Sequence, residues 1–266
     1  MKTTKPNLFP IYIIWYREIL LYLRNHLKLF TSFFVPILIL VFFGTGLKAF
    51  LPQNLLHYDF VQFFFPGILS LSCLVMVMSS TISVVWDKEF GFLKEILVAP
   101  IERWQIALGK ILGATTTAVI EGALILFSAP YFGFPLSWAL YFEVLGIIFL
   151  FSYGVGGLGL FFASRISRME SFSILTQLII APLVFLSGAL FPLNNAPLWM
   201  LNIARYNPLA YGIDALHWIF LKPIVSPSEL NNLILFPFAK SLLVLIAFDF
   251  VISFLALRVF NRYLIK

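Results

Sequence analysis

The chain has 266 residues, of which 61% are hydrophobic and only 11% are charged. Soluble globular domains carry about 25% charged residues, so this composition excludes an ordinary soluble protein. A single cysteine, Cys73, excludes a disulfide framework, and three scattered histidines offer no cluster of metal ligands. The net charge of +6 follows the pattern of membrane topology rather than that of a nucleic-acid-binding surface.

The first element in chain order is an amphipathic helix over residues 8–28. At about 100° per residue, one face collects apolar side chains: Leu8, Ile11, Tyr12, Trp15, Ile19, Tyr22 and Leu23. The opposite face collects polar ones: Arg17, Glu18, Arg24, Asn25 and Lys28. We expect this helix to lie along the inner membrane interface, so residues 1–28 form an interface segment. The alternative is that it merely continues the first span.

Six segments of residues 29–266 are long enough to cross a bilayer, which takes about 20 mostly apolar residues. The predicted spans are residues 29–47, 61–86, 106–132, 140–163, 172–191 and 241–257. If both termini lie inside, only four of the 18 lysines and arginines lie outside: Lys48, Arg205, Lys222 and Lys240. Because positive charge accumulates on the cytoplasmic side, we predict that both termini are cytoplasmic.

A charged loop over residues 87–105 joins the second and third spans. It predicts a short helix from Glu89 to Val98, stopped by Pro100, and a second helix from about Glu102. Apolar side chains of the first helix form one ridge: Phe92, Leu93, Ile96 and Leu97. A soluble partner with a groove could accept this ridge. Alternatively, the helix only anchors the spans, and the residues favour neither interpretation.

The outer segment, residues 192–238, is apolar although none of its pieces is long enough to cross. We predict two short re-entrant helices, separated at Asn207-Pro208. Large amphipathic rings and one charged pair make this segment the expected outer gate: Trp199, Arg205, Tyr206, Tyr211, Asp214 and Trp218. Arg205 and Asp214 are expected to pair across the turn.

Two carboxylic acids, Glu121 and Asp249, lie near the middle of predicted spans, where ionisable residues are functional candidates. The alternative is a protonated carboxyl bonded to a neighbouring helix, with Gln177 as a candidate partner for Asp249. A glycine cluster in the fourth span is expected to serve close helix packing: Gly154, Gly156, Gly157 and Gly159.

Two groups of motifs in this order resemble one known family. The first is Gly91-x-Leu93-x-Glu95-x-Leu97-x-x-Pro100, followed by Arg103 and Leu108-Gly109-Lys110. The second is Phe185-Leu186-Ser187-Gly188-x-x-Phe191-Pro192, then Pro197-x-Trp199 and Asn207-Pro208-Leu209-x-Tyr211-x-x-Asp214. Together they resemble the signatures of type-2 ABC-exporter permeases, such as drug-resistance, nodulation-factor and polysaccharide export permeases. The likeness covers essentially the whole chain.

The resemblance implies an all-α polytopic membrane protein with six spans, a cytoplasmic coupling helix at residues 92–98 and re-entrant outer helices. The coupling helix would sit in a cleft of a separate ATPase, so the residues expected to couple the two are Glu89, Phe92, Leu93, Glu95, Ile96, Leu97 and Arg103. The sequence has no G-x-x-x-x-G-K-[ST] phosphate loop. We therefore expect a transport subunit rather than an enzyme, with no cofactor of its own and with ATP and Mg²⁺ in the partner.

The expected partners are two copies of the soluble ATPase, a second permease copy forming a homodimer, and membrane lipids, but no nucleic acid. The favoured function is export of an amphipathic, lipid-linked or glycan substrate across a bacterial or archaeal cytoplasmic membrane. One alternative is an ATP-independent carrier or channel that uses Glu121 and Asp249 for ion coupling. Another is a lipid-modifying enzyme, for which no outer nucleophile and base stand out.

Overall fold

The computed structural model describes residues 8–46, 59–93, 98, 101–135 and 137–263, and every regular element among them is a helix. In chain order these are α1 (Phe9–Leu23), α2 (His26–Ile39), α3 (Phe60–Glu89), α4 (Arg103–Leu126), α5 (Trp138–Ala163), α6 (Met169–Phe185), α7 (Leu198–Ala204), α8 (Pro208–Leu221), α9 (Pro227–Leu233) and α10 (Phe238–Tyr263). A π-helical turn over Leu40–Gly44 extends α2. The predicted all-α fold class is confirmed.

Five helical segments of the described chain are long and apolar enough to cross a membrane: His26–Gly44, Phe60–Glu89, Arg103–Leu126, Trp138–Ala163 and Pro227–Arg262. They coincide with five of the predicted spans. The remaining one, residues 172–191, corresponds to α6, an apolar helix of 17 residues. It stops earlier than predicted, at Phe185, and Gly188 then turns the chain with a φ of 81°. At 1.5 Å per residue α6 is roughly 25 Å long.

Consecutive long helices run in alternating directions, because ends that are distant in sequence meet. At one end, here called the basic end, Lys88 of α3 reaches the last carbonyls of α5. At the same end Arg103, which begins α4, reaches a carbonyl in the last turn of α10. At the opposite end, Asn207 reaches the last turn of α6. The bundle therefore has one face that collects the ends of α3, α5 and α10 and the start of α4.

The glycines of α5 let three neighbouring helices approach its backbone. A Cβ on Gly154 would lie 2.3 Å from Oδ1 of Asp249 on α10, and Gly157 also faces α10 at 3.0 Å. A Cβ on Gly159 would lie 2.6 Å from the Thr81 hydroxyl of α3, and the fourth glycine of the cluster meets α4 at an ordinary contact distance. The predicted packing role of this cluster is confirmed.

The outer segment places a buried helix in the bundle. Every residue of α8 except Pro208 and Trp218 is buried, and the helix packs against α3, α5 and α10. A helix with apolar residues on nearly every side needs such an environment. A Cβ on Gly212 would lie 2.4 Å from the Phe151 ring of α5, so only glycine permits this approach without rearrangement.

A third short helix of the outer segment, α9, was not predicted. It begins after Ser226, whose backbone N–H donates to the Glu229 carboxylate at 3.0 Å, while the Ser226 hydroxyl accepts from the Glu229 N–H. This reciprocal capping box is readable from Ser-Pro-x-Glu in the sequence.

The N-terminal helix is separate from the first span. α1 ends at Leu23, and α2 begins at His26 with Asn25 as its N-cap, whose side-chain oxygen accepts from the Lys28 N–H at 2.9 Å. A helix with its own N-cap is a new helix rather than a continuation. The alternative that this segment merely continues the first span is therefore wrong.

α1 lies against α4 at two glycines four residues apart. A Cβ on Gly109 would lie 2.9 Å from an α1 side chain, and one on Gly113 would lie 2.5 Å from Cβ of Glu18. Small residues at this spacing let helix backbones approach closely. The indole Nε1 of Trp15 also donates to the Thr116 hydroxyl at 2.9 Å.

Four charged side chains of α1, α3 and α4 form a neutral cluster, here called the charge cluster. Nζ of Lys110 lies 2.7 Å from Oε1 of Glu18 and 2.6 Å from Oδ2 of Asp87. Arg17 donates two hydrogen bonds to Asp87, at 2.7 and 3.1 Å. All but Arg17 are almost fully buried. Buried charges are tolerated only when paired, so the cluster fixes α1 in one position.

The charge cluster corrects the predicted polar face of α1. The sequence pattern placed Arg17 and Glu18 on the solvent side, but Glu18 points into the protein because Lys110 of α4 offers it a partner. Arg17 remains partly exposed, and its hydrogen bonds to Asp87 raise the pKa of the guanidinium, which therefore stays charged.

We expect Gly113→Ala to lower the thermal stability of the purified protein by about 1–3 kcal/mol, because the new methyl group overlaps Glu18. The matched control is Gly146→Ala on α5, where a Cβ would meet nothing within 4 Å. The control should gain stability or stay unchanged, since alanine favours helix by up to about 1 kcal/mol. Equal thermal midpoints in detergent for the two variants would contradict the packing of α1 on α4.

Removing Lys110 should leave an uncompensated buried carboxylate. We expect Lys110→Met to destabilise the protein by about 3–5 kcal/mol. The double variant Lys110→Met, Glu18→Gln restores a neutral cluster through Arg17 and Asp87, so its thermal midpoint should recover at least part of the loss. Lys222→Met, an exposed lysine of the opposite end, serves as the control. A double variant no more stable than the single one would refute charge pairing as the cause.

Candidate functional site

The helix predicted in the loop between α3 and α4 is described only in part, and its described residues Phe92, Leu93 and Val98 are helical. α3 continues through Glu89, so the helix predicted from Glu89 to Val98 does not begin there. Gly91 adopts a φ of 82°, a left-handed conformation that favours glycine, and Phe92 and Leu93 follow in a helical turn. Three residues predicted to couple to an ATPase lie outside the described residues, as does Pro100: Glu95, Ile96 and Leu97.

Lys88 ties the end of α3 to the end of α5. Its Nζ donates to the carbonyl of Ala163 at 2.8 Å and to that of Ser164 at 2.6 Å. The last carbonyls of a helix have no intrahelical partner and carry partial negative charge. A lysine at this place donates hydrogen bonds to both carbonyls, and its positive charge interacts favourably with the negative end of the helix dipole.

The other ties at the basic end use two of the predicted coupling residues. Oε2 of Glu89 accepts from the Met169 N–H at 2.9 Å, which caps the start of α6. Arg103 donates to the carbonyl of Asn261 in the last turn of α10 at 2.8 Å. α4 starts at Arg103, close to the Glu102 predicted from the sequence, and the Glu102 N–H donates to the Gln105 amide oxygen at 2.9 Å.

Apolar side chains at the basic end are exposed. Phe92 is 54% exposed, whereas Leu93 beside it is only 3% exposed, so the two do not share one outward ridge as predicted. Trp86 and Phe90 are also exposed, with their rings edge to face and 5.4 Å between centroids. Val98 is exposed as well. Such a patch is typical of an interaction surface for a protein or a membrane.

Both intramembrane carboxylic acids have carboxyl oxygens without a hydrogen-bond partner. Glu121 is almost fully buried, and its Oε2 has no hydrogen-bond partner. Asp249 packs against Gly154, and neither of its carboxyl oxygens has a partner. The expected pairing of Asp249 with Gln177 is therefore wrong, because Gln177 lies on α6 and lines a groove between α6 and α3. Among the described residues, no group of three or more His, Cys, Asp or Glu side chains could hold a metal ion.

Asn207 joins the outer segment to α6. Its Nδ2 donates to the carbonyls of Leu183 and Leu186 at 2.7 and 3.0 Å, and its Oδ1 accepts from the Leu209 N–H at 3.0 Å. One side chain thus satisfies the end of α6 and the start of α8. Pro208 suits the first position of α8, where an N–H would have no partner.

Asp214 is bonded to the turn between α9 and α10 and not to an arginine. Its Oδ2 accepts from the backbone N–H groups of Leu235 and Phe236 at 2.9 and 2.8 Å. Arg205 forms no ion pair with it, and the expected Arg205–Asp214 pair is therefore wrong. The physical reason is burial: Asp214 lies inside the bundle, where backbone amides can reach it, while Arg205 is exposed.

The expected gate residues do not form one cluster. Tyr211 is buried, donates to the Arg205 carbonyl at 2.8 Å and stacks on Phe236 with 4.0 Å between ring centroids. Trp218 stacks on Phe238 at the start of α10. The remaining two rings, Trp199 and Tyr206, are exposed. A gating role for any of them stays a prediction.

Sequence reasoning missed the residues that organise the basic end. From the sequence, Asp87 and Lys88 count only as charges of the loop, and Lys110 only as part of the first signature and as an inner positive charge. One signal was available for Lys110, which stands alone among apolar residues seven positions inside α4 and so needs a buried partner. The glycines on either side of it, Gly109 and Gly113, also have the spacing of a helix-packing motif.

The sequence is similar to those of known proteins. Residues 10–221 match the family described as ABC-2 type transporter. A transport permease ycf38 of Cyanophora paradoxa is 29% identical over 86% of this chain and 81% of its own length. Nodulation protein J of Rhizobium leguminosarum bv. trifolii is 27% identical over 80% of each chain. YbhR of Escherichia coli K12, named a multidrug ABC transporter permease, is 29% identical over 62% of this chain and 45% of its own length.

The family match covers nearly all of α1, the loop at the basic end and residues 192–221, which end with α8. It agrees with the several apolar helices that can cross a membrane. The chain belongs to the ABC-2 type transporter family and is a multi-pass membrane permease subunit.

Proposed function

We propose that this permease exports an amphipathic, lipid-linked or glycan substrate from the cytoplasm, driven by ATP hydrolysis in a separate subunit. The single observation that carries the proposal is the bonding at the basic end. Lys88, Glu89 and Arg103 flank one loop and bond to the ends of α5, α6 and α10. A displacement of that loop would therefore be transmitted through these hydrogen bonds to α5, α6 and α10.

The ATPase is proposed to dock on the exposed apolar patch of the basic end. Phe92 and Val98 give it exposed apolar anchors, as do Trp86 and Phe90, and a cleft in a soluble partner can accept such side chains. The sequence of this chain contains no phosphate-binding loop, which supports placing ATP and Mg²⁺ in that partner. Two ATPase copies would serve two permease copies.

A second copy of the permease is proposed to complete the pathway. Phe172 is the one buried residue of α6, and Pro36 is the one buried residue of α2. These two helices therefore present apolar faces that lipid or another copy must cover. A symmetric pair of permeases is the simplest arrangement that places a pathway between two equal halves.

The proposed location is the cytoplasmic membrane of a bacterium or archaeon, with both termini in the cytoplasm. The distribution of lysine and arginine supports this orientation. An amphipathic substrate is supported by the many aromatic residues and few charges of the chain, since aromatic surfaces bind apolar bodies without strict hydrogen-bond geometry.

Orientation is tested by labelling single cysteines in a Cys73→Ala background. Asn231→Cys should react with an impermeant thiol reagent added to intact cells, because α9 belongs to the outer segment. Glu102→Cys should react only after the membrane is opened. Both positions are exposed in the folded chain, so burial does not confuse the comparison. The reverse pattern of labelling would overturn the proposed orientation.

Docking is tested by placing charge at Phe92, a proposed anchor, and at Ile96, one of the coupling residues predicted from the sequence. Phe92→Asp combined with Ile96→Asp should reduce the ATPase recovered with the purified permease by more than tenfold, because carboxylates would enter an apolar cleft. The matched control is Tyr131→Asp, an exposed aromatic residue at the opposite end of the bundle. It should leave recovery unchanged.

Normal recovery of the ATPase with the doubly charged variant would remove the docking proposal. Transport that continues on an ion gradient without the ATPase would instead favour the ion-coupled carrier.

A further inference from the structure

A groove of about 500 Å³ lies between α2 and α3, with one residue each from α4 and α6. Its walls are mostly apolar, and hydroxyl groups of α2 and α3 are spaced along them. Val35 and Val75 line the groove and are about half exposed, so it opens sideways on the surface of the bundle. Both lie within helices able to cross a membrane, so the opening is at the depth of lipid chains rather than of bulk water.

Glu121 supplies a carboxylic acid to this groove. The residue is only 3% exposed, and its Oε2 has no hydrogen-bond partner in the protein. A buried carboxyl without a partner is costly, and native proteins rarely leave one unsatisfied. The groove is the free space beside it, so a donor held there would complete its hydrogen bonding.

Lys28 supplies the opposite charge to the same groove. It lies in the first turn of α2, and its ammonium stands 5.8 Å from the centroid of the Tyr22 ring. Among the described residues, Lys28 and Glu121 form no ion pair with each other. The groove therefore presents one ammonium and one carboxyl group that are not bonded to each other, and apolar walls surround both.

We propose that this groove binds a zwitterionic phospholipid with a primary ammonium headgroup. The ammonium donates to Glu121, the phosphate accepts from Lys28, and an acyl chain lies along the apolar walls of α2 and α3. A primary ammonium has N–H groups for the carboxylate, which a quaternary ammonium lacks. The inference concerns binding alone, so it stands or falls independently of export and of the ATPase.

A phospholipid fits the observations better than a soluble zwitterion. The groove opens between two helices of membrane-spanning length, and large apolar residues of α2 beside it are exposed, such as Phe34 and Leu38. A molecule diffusing within the bilayer reaches such an opening directly, whereas a soluble one must leave water first. Apolar walls also need an apolar occupant to fill them.

The test compares the lipids retained by the full-length permease. The protein is reconstituted in nanodiscs with equal amounts of phosphatidylethanolamine, phosphatidylcholine and phosphatidylglycerol that carry identical acyl chains, and bound lipids are counted by native mass spectrometry. We expect the wild type to retain phosphatidylethanolamine about tenfold over the other two, the size of one hydrogen bond to a charged group.

Four variants assign that preference to the groove. Glu121→Gln should reduce retention of phosphatidylethanolamine to the level of phosphatidylcholine, and Lys28→Met should lower retention of all three lipids. Val75→Trp fills the mouth of the groove without touching either charge and should also lower all three. Glu143→Gln, an exposed carboxylate of α5, should behave as wild type.

Three outcomes would overturn the proposal. The first is a wild type with no preference among the three lipids, and the second is a Glu121→Gln variant as selective as the wild type. The third is a groove occupied by a second permease copy, seen as efficient cross-linking between Val75→Cys copies together with an absence of lipid selectivity. If Glu121→Gln fails to fold, Val75→Trp decides the question alone, since unchanged lipid retention would exclude the groove.

Discussion

The pairing of buried charges at the charge cluster is the interaction on which the rest of the basic end depends. Lys110 lies between two carboxylates from different helices, and its removal would leave the buried carboxylate of Glu18 without a charged partner. Because such charges must remain paired, α1 cannot slide or rotate on α4. The end of α3 is held by the same constraint through Asp87. The loop that follows α3 therefore starts from a fixed position against the bundle.

Backbone groups at helix ends impose the second constraint, and side chains distant in sequence satisfy them. Lys88 serves the end of α5, Asn207 serves the end of α6, and Asp214 serves the turn before α10. In an apolar medium an unpaired amide or carbonyl is costly, so each of these polar residues has a structural reason to occupy its place. Much of the second signature is explained by this role, without any reference to substrate.

The sequence allowed the helical class, five of the six spans and the start of α4 to be predicted, because apolar length and helix-capping residues act locally. It did not allow the partners of buried charges to be predicted, since Glu18 and Lys110 are distant in the chain and each has a plausible solvent-facing interpretation. The prediction of an Arg205–Asp214 ion pair was wrong for a similar reason. Two opposite charges near a turn suggest such a pair, but Asp214 is buried inside the bundle and Arg205 is exposed. Helix ends such as that of α6 depend on tertiary contacts as well.

The burial of α8 has a consequence for the order in which the protein is built. α8 lies between α3, α5 and α10, and α10 follows α8 in the chain, so it is synthesised after α8. Until α10 is present, one side of an apolar helix has no protein neighbour, and Asp214 lacks the amides of Leu235 and Phe236. α8 can therefore reach its final environment only after α10 has been inserted, so its packing into the bundle does not keep pace with its own synthesis.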